Sequence, residues 1–109
     1  MFYCYHQNNL DGNFIIDDNV TVTVIIEAES DKDADSRASA LGLAFDPFVD
    51  EWSIAPVRWE SAKGYTPMPD PSPFVRGALH YDKEKVDVGE AFCYVYKASG
   101  EKVKFIREQ

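Results

Sequence analysis

Met1 to Asp18 is the stretch that most constrains this chain, because it closes on itself. Phe2, Tyr3, Cys4, Tyr5 and His6 make a strand-like run rich in aromatics, and Phe14, Ile15 and Ile16 begin a second. Asn8, Asn9, Asp11 and Gly12 lie between them and carry turn chemistry. A loop of about five residues predicts a hairpin that sets its own register. Asp17, Asp18 and Asn19 then turn the chain into a third strand, Val20 to Ala28. Val20, Val22, Val24, Ile26 and Ala28 share one uniformly apolar face, which belongs on the core. Thr21, Thr23, Ile25 and Glu27 share the other, and three antiparallel strands in succession are expected.

A helix follows. Ser30 is a good cap, Asp31 and Asp33 suit the positive end of a helix dipole, and Gly42 is placed to end it. Ala34, Ala38 and Leu41 recur at helical spacing, an alanine-rich stripe that can approach a sheet closely. From Leu43 to Pro73 the pattern is irregular, with Phe45, Phe48, Trp52 and Trp59 among six prolines. The run Thr66 to Pro73 reads as an extended surface loop, excluded from helix and inner strand by its prolines. Strands are expected again over Phe74–Tyr81, Ala91–Lys97 and Lys102–Arg107, the last two joined by a turn at Ala98–Glu101. The predicted class is α+β: a mainly antiparallel sheet with one principal helix packed on one face.

At 109 residues the chain fits a single domain, 1–109, and 45% hydrophobic content is that of a folded protein. Residues 1–60 hold three basic and twelve acidic side chains, a net of −9, whereas residues 61–109 carry +1. Such a chain is a poor general binder of DNA, whose affinity comes mainly from neutralising phosphates. Two cysteines, Cys4 and Cys93, are too few for a disulfide scaffold or structural zinc site and read as reduced core thiols. A bridge between them would need neighbouring strands and an oxidising compartment. Asp31, Asp33 and Asp35 evoke a calcium loop, but Ser36 and Gly42 stand where it wants glycine and glutamate. No metal or other cofactor is therefore expected. The amino end enters a strand with no basic segment and apolar stretch behind it, and no apolar run spans a membrane, so a cytosolic protein is expected.

No motif for an enzyme is found. His6 and His80 each stand alone, and a dyad with either cysteine is disfavoured by the strand-interior position of both thiols. The tyrosines are more suggestive. Tyr3 and Tyr5 share one strand face, as do Tyr94 and Tyr96; on neighbouring strands they would form a stacking platform for a planar ligand such as a nucleobase. Gln7, Asn8 and Asn9 would give hydrogen bonds to base or ribose, and Arg58 and Arg76 would meet a phosphate, with Trp59 beside the first. The plainer reading of the same tyrosines is an amphipathic outer face, or a core with phenol tips reaching water.

The opening also resembles a widespread family of small, largely uncharacterised bacteriophage proteins. The resemblance lies in Met1-Phe2-Tyr3, Tyr5, Gln7-Asn8-Asn9, Gly12, Phe14 and Asp17-Asp18-Asn19-Val20. Ile25-Ile26-Glu27-Ala28, then Ala34, Ala38 and Leu41-Gly42, and an Arg58-Trp59 pair continue it. Members often carry a cysteine-rich loop suggestive of zinc before the Arg-Trp pair; Phe45 to Val57 contains no cysteine here, so no metal is carried over. The resemblance implies a phage origin and a host cytoplasm. The expected function is non-enzymatic binding of a small nucleotide-type ligand, a cyclic nucleotide signal of host defence being one candidate. The alternative is an interaction protein that inhibits a host protein through the acidic amino-terminal half. A homodimer is expected, since the aromatics of the middle segment need shared burial.

Overall fold

The computed structural model describes residues 1–7, 14–43, 59–60 and 66–108. The strands are β1 (Phe2–Gln7), β2 (Thr23–Glu27), the two-residue β3 (Trp59–Glu60), β4 (Ala91–Tyr96) and β5 (Lys102–Ile106). They form one sheet in the order β3-β1-β2-β4-β5, with β2–β4 parallel and the other three pairings antiparallel. Two ten-residue helices, α1 (Asp31–Ala40) and α2 (Ser72–Tyr81), belong to opposite faces. The fold is α+β with a mainly antiparallel sheet, as its patterning indicates.

Helix α1 begins and ends where its sequence directs. The Ser30 side chain accepts from the Asp33 amide at 3.1 Å, and Gly42 adopts φ +93, the left-handed conformation that terminates a helix. Ala34 and Ala38 are fully buried against Tyr3, Tyr5, Val24 and Ile26. The other face gathers Phe2, Cys4, Ile25, Phe92, Cys93 and Val95 against Ala78 of α2.

Three expectations are corrected. Phe14–Ile16 is not a strand, and β1 pairs instead with β2, Tyr3 opposite Ile26 and Tyr5 opposite Val24. The buried Gln7 side chain takes the place of the missing partner: its Oε1 accepts from the Ile15 amide at 2.6 Å and its Nε2 donates to the Ile15 carbonyl at 3.0 Å. Second, strand succession is broken by the parallel β2–β4 pair, so β2 separates Cys4 from Cys93 and both are free thiols.

Third, Phe74–Tyr81 is helical rather than extended. Its prolines favour this outcome, because Pro71 and Pro73 sit at the helix entry, where the amide has no intrahelical acceptor. Asp70 completes the entry by accepting from the Ser72 amide at 2.9 Å and the Ser72 hydroxyl at 2.8 Å. The residue pairs Pro73-Phe74, Gly77-Ala78 and Tyr81-Asp82 then recur every four positions along one helical stripe. Met68, before this entry, forms an isolated antiparallel bridge to Phe2. Among the described residues no helix is long and apolar enough to cross a membrane.

Candidate functional site

The four tyrosines come to one face of the sheet. Tyr3 and Tyr96 flank Ile26, and Tyr5 and Tyr94 flank Val24, with β2 running between the pairs. They do not form an open platform. Tyr3, Tyr5 and Tyr94 are buried, and Tyr96 is half-buried. The Tyr5 hydroxyl donates to Asp35 of α1 at 2.7 Å. Burial, reinforced by the Asp35 hydrogen bond, pushes its ionisation well up.

Tyr94 and Tyr96 hold the turn at residues 17–19. Their hydroxyls donate to the carbonyls of Asp17, at 2.7 Å, and Asn19, while Lys102 donates to the Asp18 carbonyl between them. The Lys102 ammonium stands 4.3 Å from the Tyr94 ring centroid and 5.4 Å from that of Tyr96. Burial and the neighbouring Tyr94 raise the Tyr96 phenol to about 12. Trp59 is buried in the same layer, and Gln7 spends its amide on the Ile15 and Thr21 backbone. Arg76 is exposed on α2, away from these tyrosines and outside the cleft described next. Asn8, Asn9 and Arg58 lie outside the described residues.

The chemistry that sequence reasoning missed is on the other face. Where α2 ends, Asp82 is only 3% exposed and receives three donors. Thr23 Oγ1 donates to Oδ2 at 2.7 Å, and Lys85 Nζ to Oδ1 at 2.9 Å. His6 Nε2 lies 3.0 Å from Oδ1. Because a buried carboxylate has no hydrogen to give, this contact makes Nε2 the protonated nitrogen of His6. Burial alone would raise the Asp82 carboxyl; the hydrogen bonds from His6, Thr23 and Lys85 outweigh it and hold the group below its ordinary range.

These groups border a cleft of about 280 Å³ between α2 and strands β1 and β2. His6, Asp82 and Lys85 give it a polar end, and Phe74, Ala78 and Tyr81 an apolar wall. Tyr81 is 72% exposed, in contrast to the buried tyrosines, and its ring meets that of His80 edge-to-face at 4.5 Å between centroids. Cys4 also lines the cleft, but burial and the Asp82 charge push its thiol up to about 12. Burial likewise pushes up the Cys93 thiol. Neither sulfur is a thiolate nucleophile at neutral pH, so His6 and Asp82 have no activated partner in cysteine. Among the described residues no three His, Cys, Asp or Glu side chains converge as metal ligands would. The arrangement can therefore bind through a carboxylate, an ammonium, an imidazole and an aromatic ring. Its sequence signal was the four-residue recurrence over 73–82, legible once those residues are read as helix.

The chain belongs to the family described as "Domain of unknown function (DUF7296)", which matches residues 1–109. No curated protein and no solved structure matches it.

Proposed function

We propose that this member of the family is a non-enzymatic binding protein for a small nucleotide-type ligand, held in the cleft beneath α2. The observation that carries the reading is the pairing of a highly exposed Tyr81 with the His6–Asp82–Lys85 cluster in one cleft. A planar ring stacks on the first, and its polar edge meets the second; each stacked base is worth about 1–3 kcal/mol. The raised thiols and the buried Asp82, already held by Thr23, His6 and Lys85, support binding over catalysis. The amino-terminal motifs support a bacteriophage origin and action in a host cytoplasm, where sequestering a nucleotide signal would counter host defence.

Calorimetry with nucleosides, mononucleotides and cyclic nucleotides tests this. Saturable binding is expected, weakened about tenfold or more by Tyr81→Ala, whose exposed side chain contributes little to folding. Binding that Tyr81→Ala leaves unchanged would place the ligand elsewhere. Absence of binding across the panel would give the lead to the interaction-protein reading.

A further inference from the structure

Gly77 sits in the interior of α2, where glycine is less favourable than alanine, so something other than the helix itself must favour it. Close packing does not. A Cβ built on Gly77 meets no heavy atom within 4 Å, and its φ lies outside the left-handed region that would demand glycine. What a side chain would enter is the cleft, which Gly77 lines between Phe74 and Tyr81 along the helix. We infer that Gly77 is the size-determining residue of the site and that the occupant is a single neutral nucleobase or nucleoside. This rests on the nucleotide-binding reading and narrows it.

Two further observations select that class. At about 280 Å³ the cleft lies just below the range of about 300–1,000 Å³ typical of small-molecule sites, which suits one base with its sugar and not a cyclic dinucleotide. Its polar end also sets the Asp82 carboxylate beside the Lys85 ammonium, 2.9 Å apart, so the local charge is nearly balanced. A phosphate placed there would gain the ammonium and meet the carboxylate. A base edge carrying both an acceptor and a donor is complementary to the pair. Any phosphate on the ligand then points out of the cleft and adds little affinity.

Two variants and two measurements test the inference. Gly77→Ala should raise the melting temperature by about 4 °C, since it adds helix propensity without a clash. Gly77→Leu should remain folded and weaken binding of adenosine, guanosine, cytidine or uridine, whichever the wild type binds, about 100-fold. A lower melting temperature for Gly77→Ala would show that the glycine serves packing and would overturn its assigned role, whatever the ligand. Cyclic dinucleotides binding more tightly than every nucleoside, or binding unaffected by Gly77→Leu, would overturn the inference while leaving nucleotide binding intact. Failure of all nucleosides and nucleotides to bind the wild type would overturn both.

Discussion

The two faces of the sheet are built from the same alternating strands and end in opposite states. On the α1 face four polar side chains are committed inward: Tyr5 to Asp35, Gln7 to Ile15 and Thr21, Tyr94 and Tyr96 to the 17–19 turn. A helix with an alanine stripe lies close and the aromatics fill the space beneath its middle, leaving a smaller cleft of about 210 Å³ at its carboxyl end beside Leu41, Tyr96 and Gly100. On the α2 face a glycine leaves space, a charged cluster borders it, and Tyr81 stands exposed. Richness in aromatic residues therefore does not by itself leave an open aromatic surface in this fold. What sets the proposed ligand face apart is a glycine in its helix with a charged cluster beside it.

The largest effect that sharpens this contrast is expected on the closed face. Tyr5 is completely buried and its hydroxyl holds Asp35, so Tyr5→Ala leaves a cavity and should cost about 4 kcal/mol. Chemical denaturation checks it. A loss under about 1 kcal/mol would mean that the α1 face is loosely packed and that the two faces do not differ in kind.

How much of this was legible in the sequence depends on the face. The α1 side was largely readable, since Ser30, Ala34, Ala38 and Gly42 each carry a local rule that tertiary contacts obey. The alternation of Val20–Ala28 placed Val20, Val24, Ile26 and Ala28 in the core on this side, but Val22 belongs with Ile25 to the α2 side, because the regular strand covers only Thr23–Glu27. What the sequence could not show was depth: Tyr3 and Tyr5 look alike whether a helix covers them or not. The α2 side was misread for a local reason. Phe74–Tyr81 contains β-prone residues and a glycine behind several prolines, and the exclusion of proline from helix interiors does not extend to a first helical turn, which is where Pro73 stands. With that helix went the stripe that carries Gly77, Tyr81 and Asp82. The hydrogen bonds joining Asp82 to Thr23 and His6 span 59 and 76 residues, beyond any local signal.

A smaller effect is expected on the open face, and it depends on pH. The folded state holds the Asp82 carboxyl below its ordinary value near 3.8, so Asp82 contributes stability that is fully present above that value. The contribution is lost as the pH falls through the lower folded-state value. Asp82→Asn should therefore cost about 2 kcal/mol at neutral pH and flatten the loss of stability below about pH 4. An acid limb identical to that of the wild type would show that the cluster does not hold a charged carboxylate. The contrast would then rest on the cleft and Gly77 alone.

The central claim is that the ligand face is the α2 face. Amide chemical-shift mapping of the full chain, titrated with adenosine, guanosine, cytidine and uridine in turn, tests it most directly. The expected result is a set of saturating shifts at His6, Thr23, Gly77, Ala78, Tyr81 and Lys85, with Tyr94, Tyr96 and Lys102 unmoved. Shifts centred on Tyr94, Tyr96 and the 17–19 turn would contradict it and return the site to the tyrosine face.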